Sequence, residues 1–223
     1  MDKVPRIIFE DTHLIVLSKP AGLLSQGEVT EAPNLVDWLR GYLGRHYVGL
    51  VHRLDRNTSG LMVIAKRTKA AARLTAALQE GRLKRAYRAW LVGELRGGAC
   101  WRHHLIKDEK RNQVSAVKSE AGDAKAAVLN VEPVGKGLWK GHGLTLAGLC
   151  LETGRSHQIR VQAAAEGLPV LGDVKYGPYI KESWNASFGR PALHSSSIEF
   201  PHPMSGEILK FEDDLPSDMA ALA

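Results

Sequence analysis

The chain has 223 residues, of which 44% are hydrophobic, enough to bury a sizeable core within the usual size of one large domain. Its 30 Lys and Arg residues outnumber its 24 Asp and Glu residues, which gives a formal charge of +6 and a pI of about 9.4. Such a charge is compatible with a polyanionic partner, but by itself it does not separate nucleic-acid binding from ordinary basic proteins.

The cysteines and the absence of targeting signals argue against a disulfide-rich, secreted or membrane-spanning protein. Cys100 and Cys150 are far apart in different contexts, which argues against a disulfide framework and favours a reducing compartment. The N-terminus MDKVPRIIFE lacks the pattern of a signal peptide, and no apolar run approaches the roughly 20 residues that span a bilayer. We therefore expect a soluble cytoplasmic protein.

The first elements along the chain are a hairpin and a helix. Two apolar runs in residues 6–18 flank the polar turn 10–13, which predicts a β-hairpin. The segment Lys-Pro-Ala-Gly at 19–22 ends the second strand, because proline has no backbone N–H to donate to a neighbouring strand. Apolar side chains at helical spacing predict a helix over residues 33–43, ended by Gly44.

Short strands dominate the following region. The apolar run 61–65 predicts a buried strand, and a helix follows, capped by Thr68 and ended by Gly81. Residues 86–94 are rich in β-favouring side chains and predict another strand. The charge-rich stretch at 107–112 is typical of a solvated hairpin tip, with an RNA-contacting hairpin as the alternative.

Strands that come in runs, without a regular strand-helix-strand rhythm, predict an α+β fold on a mainly antiparallel sheet. We expect one folded domain over residues 1–211. The last residues, 212–223, are expected to form a loose acidic tail.

The segment HRLDRNTSGL at 52–61 concentrates potential chemistry in a loop that leads into a buried strand. Arg53 and Arg56 flank Asp55, and nearby positive charge favours an ionised carboxylate that can act as nucleophile or base. The alternative is that Asp55 and Thr58 only stabilise a turn. The spacing leaves both interpretations open.

A second dense segment is ETGRSHQIRV at 152–161. On a helix, Arg155 could pair inward with an acid while Arg160 faces solvent or phosphate. The alternative is a surface helix with scattered charges.

No glycine loop with the strand-loop-Lys arrangement of nucleotide-binding sites is present, which argues against an ATP or GTP enzyme. Cys100, His103 and His104 lack a second ligand pair at zinc-like spacing, so we predict no metal.

With these segments together, the chain resembles the RluA-type family of RNA pseudouridine synthases from about residue 6 to residue 211. The family signature His-Arg-Leu-Asp-x-x-Thr-Ser-Gly is complete at 52–60. Further motifs match in order: Lys-Pro-Ala-Gly-Leu at 19–23, Lys-Arg-Ala-Tyr at 84–87, Glu-Thr-Gly-Arg at 152–155, Gly-Asp at 172–173, Leu-His at 193–194 and His-Pro at 202–203.

The resemblance implies a pseudouridine-synthase-like catalytic domain with a mainly antiparallel, bent mixed sheet flanked by helices and loops. It implies an isomerase that flips selected uridines out of structured RNA, ribosomal or transfer, and converts them to pseudouridine without metal or cofactor. Asp55 falls on the catalytic aspartate, Tyr87 on the residue that stacks on the base, and Arg155 on the arginine that pairs with the aspartate. Contacts to RNA or substrate are expected from the polar residues of the two dense segments: His52, Arg53, Arg56, Thr58, His157, Gln158 and Arg160.

Three departures from the family pattern bear on substrate choice more than on activity. Gln162 stands where histidine is usual, Ala127 where threonine is common, and Ser195 where alanine is common. The chain begins almost directly at the catalytic domain, so we expect the small N-terminal RNA-binding domain of some relatives to be absent. We expect a monomer.

Two other functions are kept open. A non-catalytic RNA-binding protein would retain the fold and basic face, including the seven basic residues between 66 and 85, without chemistry. A glycosidase or nuclease would need Asp55 and Glu152 as cooperating carboxylates.

Overall fold

The computed structural model describes residues 4–27, 32–117 and 122–222, and these divide into two compact units. The first unit comprises the described residues within 1–85 and 194–214, and the second those within 86–193 and 215–223. In chain order the elements are β1 (Arg6–Glu10), β2 (Leu14–Lys19), α1 (Leu35–Leu43), β3 (Gly49–Leu50), β4 (Ser59–Ala65), α2 (Thr68–Gln79), β5 (Lys84–Val92), β6 (Ala99–Asp108), β7 (Gln113–Val117), β8 (Lys125–Trp139), β9 (His142–Leu151), α3 (Gln158–Ala165), α4 (Ser183–Ala186), β10 (Leu193–Pro201), β11 (Ile208–Glu212) and α5 (Ser217–Ala220). No helix in the described ranges is long and apolar enough to cross a membrane.

The first unit is built on strands in the order β1-β2-β4-β10, with β3 paired to β4 and β11 paired to β10. All these pairs are antiparallel except β4 with β10, which is parallel. Every residue of β4 is buried, and its apolar side chains share a core with α2 and β10. This strand is the continuous apolar run that the sequence predicts.

The predicted hairpin and first helix are confirmed, with local causes. Asp11 accepts hydrogen bonds from the backbone N–H groups of His13 and Leu14, at 2.7 and 2.8 Å, and so closes the β1–β2 turn. Asn34 caps α1 through its side chain, and Gly44 ends the helix in the left-handed conformation at φ 61°.

The start of α2 differs from expectation. Thr68 is the first helical residue, and the N-cap position belongs to Arg67, which makes no side-chain capping bond. The predicted threonine cap is therefore wrong, although the helix itself is present. The helical spacing predicted a buried face of Ala71, Leu74, Ala77 and Leu78. Leu74 and Ala77 are buried together with Ala70, which the spacing did not single out, while Ala71 and Leu78 pack against the same core and are partly buried.

The second unit carries antiparallel strands in the order β5-β9-β8-β6-β7. The charge-rich tip lies in the β6–β7 hairpin, where Lys107 pairs with Glu109 at 2.6 Å and Arg111 with Asp108 at 3.8 Å. α3 is fixed on this sheet by Gln162, whose amide donates to the carbonyls of Trp101 and Ala127. Together with the mainly antiparallel strands of the first unit, this confirms the expected α+β fold.

The expectation of a loose tail over residues 212–223 is wrong for the described part. Met219 is fully buried in α5, and its carbonyl accepts a hydrogen bond from the indole of Trp90 at 2.8 Å. Arg190 holds Asp218 through two bonds of 2.7 and 2.9 Å. The acidic composition concealed two apolar anchors, Met219 and Leu222, three residues apart.

Candidate active site

Asp55 occupies the first position of a tight turn in the first unit. The backbone N–H of Thr58 donates to the carbonyl of Asp55 at 3.1 Å, and β4 begins one residue later at Ser59. We call residues 55–58 the Asp55 turn. Arg53 and Arg56 are exposed on either side of Asp55, while Thr58 is buried. The turn that the sequence predicts is therefore present, and a buried strand that follows it at once holds it in place. The catalytic role of Asp55 stays a prediction.

The Lys-Pro-Ala-Gly segment clamps the Asp55 turn. Lys19 is fully buried, and its ammonium donates to the carbonyls of Pro20, Leu23 and Arg56 at 3.0, 2.8 and 3.1 Å. The backbone N–H of Gly22 also donates to the carbonyl of Arg56, at 2.7 Å. A buried charge is tolerated when hydrogen bonds satisfy it, so these bonds tie the residue after Asp55 to the end of β2.

His52 is buried and uncharged. Its Nε2 accepts the backbone N–H of Val63 in β4 at 3.3 Å. Burial, aided by the positive charge of Arg85, lowers the pKa of His52 to about 3. The ring is neutral at any physiological pH, so His52 cannot contact an RNA phosphate as a cation.

This depressed pKa predicts a specific acid sensitivity. In the unfolded chain His52 binds a proton below about pH 6.5, whereas in the folded chain it stays neutral down to about pH 3. The free energy of unfolding therefore decreases as the pH is lowered from about 6.5 to about 3. At pH 4.5 the loss reaches up to about 3 kcal/mol. We expect His52→Gln, whose amide oxygen can accept the Val63 N–H, to lose correspondingly less stability between pH 7 and 4.5 in urea titrations. His46→Gln, at an exposed position, should retain the wild-type loss; an equal loss in all three proteins would contradict the prediction.

The second unit holds Arg155 in a loop that Gln158 organises. Gln158 is buried at the start of α3, and its Oε1 accepts from the hydroxyl of Thr153 at 2.9 Å and from the N–H of Arg155 at 3.0 Å. Its Nε2 donates to the carbonyl of Val128 at 3.1 Å. Arg155 lies before the helix rather than on it, and its exposed side chain donates to Ala126. Gln158, expected as an RNA contact, instead shapes the loop that presents Arg155.

Arg160 does not face solvent or phosphate, so that expectation is wrong. It is buried in α3 and forms two bonds to Asp173, at 2.6 and 2.9 Å. The helix begins at Gln158, three residues after Arg155, which the sequence argument placed on the helix, and His157 before it has the left-handed conformation at φ 52°. This later start changes which residues share a helix face.

His157 is engaged inside the second unit as well. Its Nδ1 lies 2.6 Å from the hydroxyl of Tyr176, which also accepts the N–H of Val114 at 3.1 Å. Tyr87 is buried in β5, in register with Leu149 of β9. His157 is held by its contact with Tyr176, and Tyr87 by its place in β5. The roles of His157 and Tyr87 toward RNA stay predictions.

Part of the basic cluster between residues 66 and 85 is neutralised within the first unit. Lys66 pairs with Glu10 at 2.6 Å, Lys84 pairs with Glu199 at 2.9 Å, and Arg82 pairs with Glu80. Surface pairs of this kind keep the charge in solvent but reduce its net field. The exposed arginines nearest Asp55 in sequence, Arg53 and Arg56, are therefore the stronger candidates for phosphate contacts.

The sequence arguments missed Lys19 and Gln158 as organisers of the site. Lys19 was predicted only as part of a strand end and of a family motif, without a role in holding the Asp55 turn. The signal that could have identified it is a lysine directly before proline at the end of a mainly apolar strand. No group of three or more potential metal-ligating His, Cys, Asp or Glu side chains occurs among the described residues.

Solved structures with the same fold define the structural class. The structure titled human RNA pseudouridylate synthase domain containing 1 superposes with a TM-score of 0.83 at 24% identity, over 99% of this chain and 89% of that one. Human RNA pseudouridylate synthase domain containing 4 gives 0.74 at 22% identity, over 96% and 90%. The fold is that of pseudouridine synthases.

Sequence comparison then gives the family. The model of the RNA pseudouridylate synthase family matches residues 13–165. Curated relatives named ribosomal large subunit pseudouridine synthase D are 35% identical in Nitrosomonas europaea, over 97% of this chain and 64% of the relative, and 34% identical in Pseudomonas aeruginosa, over 95% and 68%. This chain belongs to the RNA pseudouridylate synthase family, and it spans 64% and 68% of the length of these two relatives.

Proposed function

We propose that the chain isomerises uridine to pseudouridine in the RNA of the large ribosomal subunit, in the cytoplasm and as a monomer. The observation that carries the proposal is Asp55, complete with its family signature, at the head of a clamped turn. The relatives are ribosomal large subunit pseudouridine synthases by name, which favours ribosomal over transfer RNA as substrate.

The reaction breaks the bond between the sugar and a ring nitrogen and remakes it to a ring carbon. A base within a helix must first leave the stack, which costs a few kcal/mol and least in loops. Tyr87 would stack on the displaced uracil, a contact worth about 1–3 kcal/mol. Asp55 would then attack the ring or the sugar, or remove a sugar proton, with Arg155 as the residue that aims the carboxylate.

The remaining residues divide by accessibility. Arg53 and Arg56 are exposed beside Asp55, and we propose that they contact phosphates of the substrate RNA. His52, Thr58, Gln158 and Arg160 are buried, so we propose that they support the backbone around the site. The retention of the whole signature argues against the non-catalytic alternative, which does not require Asp55.

Substrate choice can be tested with unmodified transcripts. The purified protein would be incubated separately with large-subunit ribosomal RNA and with transfer RNAs, and the digested nucleosides would be separated to quantify pseudouridine. We expect pseudouridine in the ribosomal RNA, at about one pseudouridine per RNA molecule for each uridine that the enzyme modifies. Product confined to transfer RNA would overturn the proposed substrate while leaving the chemistry intact, and salt-sensitive binding without product would favour the non-catalytic alternative.

A further inference from the structure

A buried line of polar side chains connects the Asp55 turn to the C-terminal acidic stretch within the first unit. Ser59, the residue after the Asp55 turn, places its hydroxyl 2.9 Å from Nδ1 of His194. Nε2 of His194 lies 3.5 Å from Asp213, which also pairs with Arg6. The residues Ser59, His194 and Asp213 are 6%, 2% and 8% exposed.

The line resembles a hydrolytic triad in composition but cannot work as one. A nucleophilic serine must reach its substrate, and Ser59 is buried at the start of a central strand. A buried carboxylate and imidazole are also expensive compared with apolar side chains of similar volume. The arrangement therefore calls for another role, and conformational specificity is the best-attested use of buried polar groups.

The line crosses a short strand pairing. Six residue pairs join β4 to β2, whereas two join it to β10, His194 with Ser59 and Ser195 with Gly60. A slip of one residue between β10 and β4 would shift their pairing by about 3.3 Å and turn the side chains of β10 to the opposite face. Because the Asp55 turn leads directly into Ser59, such a slip would remove the side-chain contact that ties the end of the turn to β10.

Two contacts next to the line bring β4 and β10 close together. Gly60 has φ 110°, and a Cβ there would lie 2.3 Å from the carbonyl oxygen of Ser195. The hydroxyl of Ser195, one of the departures from the family pattern, donates to the carbonyl of Leu61 at 3.1 Å. The two strands thus approach closely at Gly60, and the bond between Ser59 and His194 adds a directional side-chain contact beside that approach.

We propose that Asp213 and His194 are positioning residues that act through Ser59 to hold the start of β4, and with it the end of the Asp55 turn, against β10. The negative charge of Asp213 favours the proton on Nε2 of His194, which leaves Nδ1 as the acceptor for the Ser59 hydroxyl. Arg6 compensates the buried carboxylate. The kinetic consequence rests on the proposed role of Asp55, whereas the structural consequence does not.

The structural arm of the test is independent of activity. Asp213→Asn removes the charge that sets the His194 tautomer, and Asp214→Asn makes the same chemical change at the exposed neighbouring position. Native-state hydrogen exchange would follow the N–H of Thr58, which closes the Asp55 turn. We expect at least tenfold faster exchange in Asp213→Asn and no change in Asp214→Asn. Unchanged Thr58 protection in folded Asp213→Asn would overturn the proposal whether or not the protein is an enzyme.

The kinetic arm separates positioning from general stability. Single-turnover pseudouridine formation on large-subunit ribosomal RNA, well below the melting temperature, should be about tenfold slower or more in Asp213→Asn, with RNA affinity within about twofold of wild type. Ser59→Ala should act similarly, and the double variant should be no slower than the worse single one, because both remove the same line. Additive losses, or loss of affinity without loss of rate, would contradict the role. If Asp213→Asn does not fold, His194→Asn takes its place. The amide oxygen of Asn can still accept from the Ser59 hydroxyl, so this variant should react faster than Ser59→Ala. Equal rates in His194→Asn and Ser59→Ala would contradict the proposal.

Discussion

Asp55→Asn is expected to abolish pseudouridine formation, with a loss on the order of 10⁴-fold, while RNA affinity stays within a few fold of wild type. An amide of equal size cannot attack or accept a proton as a carboxylate does. The fold should survive, because the bond that closes the Asp55 turn uses the carbonyl of Asp55 rather than its side chain. Single-turnover kinetics and equilibrium binding on the same RNA would measure both quantities.

The matched control is Asp214→Asn, the same change at an exposed site, which should leave rate and affinity unaltered. Equal modification by Asp55→Asn and wild type would refute the catalytic assignment. Loss of both rate and affinity would instead assign Asp55 to RNA binding.

Two arginines of one segment should separate stability from activity. Arg160→Met is expected to lower the free energy of unfolding by about 3 kcal/mol, because it leaves Asp173, whose side chain is 1% exposed, without its cation. Arg155→Met removes an exposed side chain bonded to Ala126 and should cost about 1 kcal/mol or less. The same Arg155→Met change should slow single-turnover catalysis about 100-fold if Arg155 aims Asp55.

Urea unfolding and single-turnover kinetics on both variants would check this separation. A double variant, Arg160→Met with Asp173→Leu, should recover part of the lost stability, since it removes the unpaired buried charge. A change of less than about 1 kcal/mol in Arg160→Met would contradict the importance of the buried pair. Wild-type activity in Arg155→Met would show that Arg155 has no role in catalysis.

The predictable parts of the fold were those with a strong local signal. The β1–β2 hairpin, the buried run of β4 and the helix ending at Gly44 follow from apolar periodicity and turn chemistry, which operate over a few residues. Asp55 could be identified because its whole signature lies in one contiguous segment. Local sequence was sufficient in each of these cases.

The features that could not be predicted depend on partners distant in sequence. Arg160 looked solvent-facing because Asp173 lies 13 residues away, beyond the end of α3. Lys19 reaches the carbonyl of Arg56 across 37 residues, and Asp213 lies beside His194 through the β10–β11 hairpin. Composition labelled the C-terminal stretch acidic and loose, whereas tertiary packing gives several of its residues buried positions.

The most direct test of the central claim uses RNA that carries tritium on the uracil carbon that becomes the new glycosidic carbon. Purified protein would be incubated with this RNA without added metal or nucleotide, and tritium in water would be counted. Isomerisation predicts release from wild type that matches pseudouridine formed, and none from Asp55→Ala. No release despite salt-sensitive binding, or the appearance of free uracil, would contradict the account, the first in favour of an RNA-binding protein and the second in favour of a glycosidase.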